Sequence, residues 1–305
     1  MSDITFGTDG WRAVIAEQFT FQNARRVADA VAVAGRTLRP PQGIDRNALV
    51  VGYDRRFLSR EFAGVVGEAL KAAGYHVIFS DRPTPSQTIS FTARHRSVLG
   101  GVMVTASHNP AKYNGIKFKA WYGGSALPEM YDAISSSLDQ RDAREGGTMH
   151  EENILDDYLD GVRGQLDLQL LKSAKLTILH DPIYGAGATL PSKILGLDYT
   201  GAHRIRTGDE PSLETTIVDG IRGEVNPGFG GINPEPIPEN LNASQNVMLS
   251  GDYDLAICND GDADRLGILD ERGRFVSPHK IISLLALYLV REKKRAGEFV
   301  KTFST

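Results

Sequence analysis

ALVVGYDRRFLSREFAGVVGEALKAAGYHVIF, residues 48–79, joins two short apolar runs through a segment with helical spacing. The runs at 48–52 and 75–79 are rich in valine, isoleucine and aromatic residues, as buried strands are. Between them, residues 60–73 place apolar side chains three or four positions apart, with Ser59 predicted as the N-cap and a glycine at the end. A strand, a helix and a strand in this order predict a parallel pairing, and therefore an α/β fold.

The same alternation recurs along the rest of the chain. We predict further helices at 22–38, 187–195 and 280–293, and strands at 97–104, 116–122, 175–180, 203–206, 253–258 and 299–303. A polar segment at 140–152, which contains paired glycines, separates two groups of elements. We therefore expect a first domain at 1–150, a second at 151–276 and the incomplete start of a third at 277–305. On this division the chain ends inside the third domain.

Composition narrows the class of partner. The chain has 305 residues, of which 41% are hydrophobic, and its 34 basic and 38 acidic residues give a net charge of -4. This mild acidity argues against a nucleic-acid surface or a basic membrane-binding patch. The one cysteine, Cys258, cannot form an internal disulfide, which favours a reducing compartment. The N-terminus lacks the apolar core of a signal peptide and the most apolar helical stretch is too short to span a bilayer, so we expect a cytoplasmic protein.

Three predicted strands end in aspartate, at Asp54, Asp181 and Asp260. In open α/β sheets, ligands gather outside the carboxyl ends of the strands. Aspartate also suits the turn that follows a strand, and we favour that interpretation for Asp54. Asp260 differs because further carboxylates follow it.

The segment NDGDADRLG, residues 259–267, carries Asp260, Asp262 and Asp264. In a tight loop, alternate residues can point to one side, so three hard oxygen ligands would converge on one point. Their mutual repulsion is relieved by a divalent cation. Three carboxylates suit Mg²⁺ better than Ca²⁺ when a phosphate oxygen completes the coordination shell.

Three alternatives compete for this loop. A calcium EF-hand would place Glu271 at its twelfth position, but its sixth position is Arg265 rather than glycine, and strands rather than helices flank the loop. A haloacid-dehalogenase-type phosphatase could use the first two aspartates, but such a motif normally continues with Thr or Val where this chain has Asp264. A solvated acidic turn is the third alternative, and crowding of this kind has no benefit for folding.

A second polar loop, TASHNPAKYNGIK, spans residues 105–117 and follows the apolar strand predicted at 97–104. Residues 114–115, Asn-Gly, are typical of a turn, and the alternation after them places Lys117 opposite the apolar face, where it can approach Ser107.

The chemistry of this serine is constrained by its neighbours. Acyl transfer fits poorly because no Gly-x-Ser-x-Gly elbow is present and His108 is adjacent in sequence, unlike the histidine of a catalytic triad. A hydrogen-bonded turn explains the isolated residues equally well. A serine that shuttles a phosphoryl group would need a cation for the charge and a lysine for proton transfer, and both are predicted here.

Four segments, TASHNPAKYNGIK, NDGDADRLG, FGTDGWR and DPIYGAG, together resemble the α-D-phosphohexomutase family of phosphoglucomutases and phosphomannomutases. The resemblance implies repeated α/β domains with mixed, mainly parallel sheets, Mg²⁺ as the metal, and a hexose 1,6-bisphosphate as intermediate and activator. It also implies that Ser107 is the phosphoserine and binds Mg²⁺ together with the three aspartates. The resemblance further implies that Lys117 is the general acid/base, that His108 and Arg265 support proton transfer and contact the substrate, and that Arg12 is a catalytic residue that contacts the phosphate. It also implies substrate contacts for Asn109 and Lys117.

The resemblance covers only part of the family's length. Its members carry four domains, and neither the Gly-Glu-x-Ser-Gly-His-like sugar loop nor the Arg-x-Ser-Gly-Thr-like phosphate loop occurs in this sequence. The expected partner is a phosphorylated hexose whose identity the motifs do not distinguish. Two functions remain open: a truncated or split phosphotransferase, and a non-catalytic or regulatory fragment that needs a partner supplying the missing domains. In either case the chain is expected to self-associate or to pair with those domains.

Overall fold

The computed structural model describes residues 4–199 and 214–300, and these form two mixed β-sheets with helices packed on both faces. In chain order the elements are β1 (Trp11–Val14), α1 (Phe21–Thr37), β2 (Asp45–Tyr53), α2 (Ser59–Ala72), β3 (His76–Ser80), α3 (Ser86–His95), β4 (Val98–Val104), β5 (Tyr113–Ala120), α4 (Pro128–Ser136), β6 (Thr148–Glu152), α5 (Ile154–Arg163), α6 (Leu168–Ser173), β7 (Thr177–Asp181), α7 (Leu190–Leu195), β8 (Ile217–Gly220), α8 (Asn242–Ser250), β9 (Leu255–Asn259), β10 (Leu266–Asp270), β11 (Phe275–Val276) and α9 (Pro278–Arg291).

The first sheet has the strand order β1-β5-β4-β2-β3-β6. Its four strands β4, β2, β3 and β6 run parallel, whereas β5 and β1 are antiparallel additions at one edge. Alternate residues of β2 point to opposite faces: Leu49 and Val51 pack with α1 and α2, and Val50 packs with α3. Residues 48–79 thus form the predicted parallel unit, and the α/β fold class is confirmed.

The second sheet has the order β11-β10-β9-β7-β8, with β9, β7 and β8 parallel. Leu179 and Cys258 pack on the face that carries α8, and Ile178 packs with α7 on the other. The strands β9 and β10 pair antiparallel around residues 260–265, so the acidic loop is a connection between strands. Strands therefore flank it, as expected, and an EF-hand is excluded.

One predicted turn is wrong. Asn114 and Gly115 lie inside β5, which pairs with β1 through Arg12 and Gly115. A Cβ on Gly115 would lie 2.6 Å from the backbone oxygens of Thr105 and Trp11. Glycine is required here for close approach of three backbone segments, and the residue pair does not reverse the chain.

Other boundaries differ by smaller amounts. Ser59 is the first residue of α2 and not its N-cap, because Leu58 before it adopts a left-handed conformation with φ 56°. The helix predicted at 187–195 is confined to Leu190–Leu195. The strand predicted at 203–206 and residues 301–303 of the last predicted strand lie outside the described residues, and Phe299 and Val300 have no regular structure.

The helix α9 exposes most of its apolar residues. The exposed set comprises Ile282, Leu284, Leu285, Leu287, Tyr288, Leu289 and Val290. Its fourteen residues are too few to cross a membrane, and none of the other helices at 4–199 or 214–300 has the length and apolarity to do so.

Candidate active site

Ser107 lies in the loop that follows β4, at the carboxyl end of a central parallel strand. Ser107 is 1% exposed and adopts a left-handed backbone conformation with φ 52°. The backbone N–H donates to Thr105 Oγ1 at 2.8 Å, and the hydroxyl donates to Asp260 Oδ2 at 2.9 Å. The serine of the first sheet is therefore joined directly to the acidic loop of the second.

The acidic loop brings its three carboxylates together as predicted from the sequence. One oxygen from each of Asp260, Asp262 and Asp264 lies within 4.8 Å of the others. The Oδ1 atom of Asp262 is buried and has no hydrogen-bond partner in the described part of the chain. A Cβ on Gly261 would lie 2.5 Å from the carbonyl oxygen of Ser107, so this glycine permits the close contact between the two loops.

Lys117 projects from β5 into the same cluster, where it is almost fully buried. Its ammonium donates to Asp262 Oδ2 at 2.9 Å and to Asp264 Oδ2 at 3.1 Å. It also forms an ion pair of 3.2 Å with Asp9. Lys117 and Ser107 thus meet through the acidic loop, and the lysine supplies the positive charge that faces its carboxylates.

The charges in this cluster shift one another's ionisation. Burial would lower the pKa of Lys117, but Asp262, Asp264 and Asp9 outweigh burial and raise it, so the ammonium is protonated. Burial would raise the pKa of Asp262, but the ammonium lowers it. Asp260 forms no ion pair with a lysine or arginine at 4–199 or 214–300, and its pKa is raised by burial and by the neighbouring carboxylates. Asp260 is the carboxylate on which a bound cation would act most strongly.

Three of the remaining predicted residues line one cavity, whose wall also includes Asp9 of the cluster. An open cavity of about 470 Å³ has Arg12, His108 and Arg265 in its wall. Arg12 donates to Asn109 Oδ1 at 2.8 Å, and Arg265 donates to Glu235 at 2.5 Å. Burial and the guanidinium of Arg265 lower the pKa of His108, so its imidazole is neutral at pH 7. These side chains present two guanidinium groups and a neutral imidazole to the cavity.

The sequence analysis missed two residues of the cluster. Asp9, within FGTDGWR, contacts Lys117 and also pairs with Lys119 at 3.2 Å. Ser86, at the start of α3, donates its hydroxyl to Asp262 Oδ2 at 2.6 Å and its N–H to the carbonyl of the same residue. A helix beginning directly after Pro85 was the available signal for Ser86, because first-turn N–H groups seek acceptors.

Two family models match most of the sequence. The α/β/α domain I of phosphoglucomutase/phosphomannomutase matches residues 3–145, and domain II of the same family matches residues 156–273. The chain belongs to the α-D-phosphohexomutase family.

The chain is also similar to individual phosphohexomutases in sequence and structure. The chain is 30% identical to a phosphoglucomutase/phosphomannomutase of Thermococcus kodakarensis, over 98% of this chain and 62% of the relative. It is also 30% identical to a phosphoglucosamine mutase of Synechococcus elongatus, over 97% of this chain and 59% of the relative. A crystal structure from Thermus thermophilus, described as a phosphomannomutase, aligns with a TM-score of 0.82 at 34% identity, over 96% of this chain and 63% of the other. The chain therefore spans about three fifths of the length of these phosphohexomutases.

Proposed function

We propose that this chain carries the phosphoryl-transfer centre of an intramolecular phosphotransferase that interconverts hexose 1-phosphates and hexose 6-phosphates. A phosphoserine at Ser107 and a hexose 1,6-bisphosphate are the intermediates. One observation supports this above all: Ser107, the acidic loop and Lys117 form a single hydrogen-bonded cluster between the two sheets. A nucleophile, a proton donor and a set of hard oxygen ligands are what phosphoryl transfer through a serine requires.

The residues divide the chemistry as follows. Ser107 Oγ attacks a phosphorus atom of the bisphosphate, a new P–O bond forms, and the bond from phosphorus to the sugar oxygen breaks. The serine proton passes to Asp260 Oδ2, which already accepts it in a hydrogen bond of 2.9 Å. The leaving sugar oxygen receives a proton from the ammonium of Lys117, whose raised pKa keeps it protonated. In the reverse step each proton returns, and the phosphoserine phosphorylates the free hydroxyl of a bound hexose monophosphate to give the bisphosphate. Interconversion follows when the bisphosphate turns and presents its other phosphate to Ser107, which then removes that phosphate.

The residues present fit a Mg²⁺ ion. Asp260, Asp262 and Asp264 offer converging carboxylate oxygens, and the buried Oδ1 of Asp262 lacks a partner among the described residues. A phosphoryl oxygen on Ser107 would complete the set of hard ligands. When bound, Mg²⁺ would neutralise charge on the transferring phosphoryl group.

The cavity beside the cluster is the proposed binding site for the sugar phosphate. Arg12 and Arg265 offer planar guanidinium groups, whose geometry matches phosphate oxygens. His108 offers a neutral imidazole that can donate or accept a hydrogen bond, and the amide of Asn109 is anchored by Arg12. Glucose, mannose and glucosamine phosphates all fit this chemistry, so the substrate class is a phosphorylated hexose. The buried, unpaired Cys258 is consistent with a cytoplasmic location.

A second candidate is a fragment that needs a partner to supply further domains. It is favoured by the helix α9, whose leucines 284, 285 and 287 are about half exposed. On this proposal the chain carries two domains divided near residue 150, with the strand β6 (Thr148–Glu152) in the sheet of the first, and residues 277–305 belong to a third that pairs with other chain segments. The two candidates differ in whether the isolated chain transfers phosphate.

The test is to transfer a phosphoryl group to the chain and then from the chain to a hexose monophosphate. Purified chain, Mg²⁺ and glucose 1,6-bisphosphate are mixed, and intact mass and peptide mapping follow the phosphate. We expect one phosphoryl group on the peptide that contains Ser107, and its loss when a hexose monophosphate is added. Comparison of glucose, mannose and glucosamine phosphates as acceptors then ranks the substrates. Absence of any phosphoryl group on Ser107 would contradict catalysis by the isolated chain and favour the second candidate.

Two aspartate substitutions are expected to change the stability of the metal-free chain in opposite directions. Asp262→Asn removes a carboxylate that accepts hydrogen bonds from Lys117 and Ser86, and should lower the free energy of unfolding. The loss should be about 1.5–3 kcal/mol, the range for hydrogen bonds to charged groups, because Lys117 retains two other carboxylates. Asp260→Asn removes a buried carboxylate that forms no ion pair among the described residues, and should raise the free energy of unfolding at neutral pH.

The pH dependence separates these effects. The pKa of Asp260 is raised in the folded chain, so the native state loses stability as the pH rises above the ordinary aspartate value of 3.8. The gain in free energy of unfolding that Asp260→Asn brings should therefore vanish at acidic pH and increase towards neutral pH. Urea unfolding without Mg²⁺ at several pH values measures this gain. Both variants should bind Mg²⁺ more weakly by calorimetry. Undiminished Mg²⁺ affinity in the double variant would rule out the metal site.

A further inference from the structure

We propose that the buried pair of Asp54 and Arg56 positions the Ser107 loop, so that these residues act on phosphoryl transfer through the shape of that loop. The inference rests on the proposed function of Ser107 as the phosphoryl acceptor. Asp54 and Arg56 follow β2, the strand next to β4, and the side chains of both are fully buried. Neither side chain contacts the cavity, so they are positioning residues.

The side chain of Arg56 binds the backbone of the Ser107 loop. One nitrogen of its guanidinium donates to the carbonyl oxygens of Ser107 and Asn109 at 2.7 and 2.6 Å. The other donates to the carbonyl oxygens of Pro110 and Tyr113 at 3.0 Å each. Four carbonyl groups between 107 and 113 therefore converge on one planar cation. Only arginine offers this many N–H donors in a fixed plane.

Asp54 fixes the conformation of Ser107 itself. Its Oδ2 accepts the hydroxyl proton of Thr105 at 2.6 Å, which leaves Thr105 Oγ1 free to accept the N–H of Ser107 at 2.8 Å. Its Oδ1 accepts the hydroxyl of Ser59 at 2.8 Å. The chain of hydrogen bonds ends at the left-handed backbone of Ser107, with φ 52°, which an L-residue adopts only when its surroundings hold it there.

The two residues also complete each other. Arg56 Nε lies 3.2 Å from Asp54 Oδ2, which compensates both buried charges, and the guanidinium lies over the ring of Phe229 at 4.9 Å. Phe229 is fully buried and lies in the connection between β8 of the second sheet and α8, whereas Asp54 and Arg56 follow β2 of the first sheet. The pair is therefore placed where it can keep Ser107 aligned with the carboxylates of the acidic loop.

Arg56→Ala tests this role, with Arg36→Ala as the matched control. Arg36 is also a multiply bonded guanidinium in the first domain: it donates to Ala73 and Asn47 and covers the ring of Tyr75, but it has no contact with the Ser107 loop. The first measurement is amide hydrogen exchange in the peptide 105–113 of the 305-residue chain. The second is the rate at which Ser107 gains phosphate from glucose 1,6-bisphosphate and Mg²⁺, followed by intact mass.

We expect Arg56→Ala to accelerate exchange in 105–113 and to slow phosphorylation by about 10²-fold, the cost of a displacement of about 1 Å in a reacting group. Guanidinium chloride at concentrations far below those that denature should restore part of the rate in Arg56→Ala. It should leave Arg36→Ala unchanged, because that variant has lost no contact with the loop. A loss of global stability alone would not be rescued in this selective way.

The outcomes separate this inference from the proposed function. If the unaltered chain never carries phosphate on Ser107, the proposed function fails, and hydrogen exchange alone decides whether Arg56 holds the loop. A folded Arg56→Ala chain with unaltered exchange and an unaltered rate of phosphorylation overturns the inference. Should Arg56→Ala not fold, Arg56→Lys replaces it. Lysine keeps the charge beside Asp54 but cannot span four carbonyl groups, so a Lys variant with the unaltered rate would overturn the inference as well.

Discussion

Replacement of Ser107 by alanine should abolish transfer of phosphate to the chain and reduce hexose phosphate interconversion on the order of 10⁴-fold or more, as removal of a covalent nucleophile does. The reason is geometric. The Ser107 hydroxyl is buried against Asp260 at 2.9 Å, in a loop whose backbone is fixed from several sides, so its removal takes away the hydroxyl that is held beside Asp260. The measurement is intact mass after incubation with glucose 1,6-bisphosphate, combined with a coupled assay of hexose 6-phosphate formation.

Ser86→Ala is the matched control for this prediction. Ser86 is also a buried serine whose hydroxyl donates to the acidic loop, at 2.6 Å from Asp262, but it lies at the start of α3 and not in the Ser107 loop. Its removal should weaken Mg²⁺ binding modestly and leave phosphate on Ser107. Phosphate that persists on the Ser107→Ala chain, or full activity of that chain, would show that another residue is the acceptor.

The parts of this site that could be predicted from the sequence are those in which chemistry and local pattern coincide. The acidic loop repeats carboxylates at alternate positions directly after an apolar strand, and the Ser107 loop follows another. Both strands run parallel to their central neighbours, so the two loops lie at the carboxyl ends of parallel strands, where ligands gather in open α/β sheets. The α/β fold could also be predicted, because the spacing of apolar residues along the chain distinguishes the strands from the helices.

The parts that could not be predicted depend on contacts between distant backbone segments. Asp54 was interpreted as a turn residue, because nothing in its local sequence indicates that its carboxylate accepts the hydroxyl of Thr105. Arg56 binds carbonyl groups, which every residue carries, so its partners leave no pattern in the side chains. Gly115 was read as part of a turn, since the need for a small residue between β1 and the end of β4 appears only when the strands are paired.

Lys117→Met should lower the turnover number by about 10²–10⁴-fold, the usual contribution of general acid–base catalysis. Lys117 holds a proton because three carboxylates raise its pKa, so the resting chain has an acid ready for the leaving sugar oxygen. Methionine has a similar length and keeps the apolar stem packed, but it cannot donate a proton. The Michaelis constant for hexose phosphate should change much less than turnover, because phosphate binding is assigned to the arginines of the cavity.

Lys119→Met distinguishes proton transfer from loss of a buried charge. Lys119 lies two residues further along β5, is also buried, and pairs with Asp9 at 3.2 Å, but it forms no ion pair with the acidic loop in the described part of the chain. Lys117→Arg completes the comparison, since arginine keeps the cation beside Asp262 but releases its proton only above about pH 12. If Lys117 transfers a proton, the turnover number should fall in both Lys117→Met and Lys117→Arg and should be retained in Lys119→Met. If Lys117→Arg keeps the turnover number of the unaltered chain, the lysine acts through its charge. If Lys117→Met raises the Michaelis constant and leaves the turnover number unchanged, the lysine is a phosphate contact.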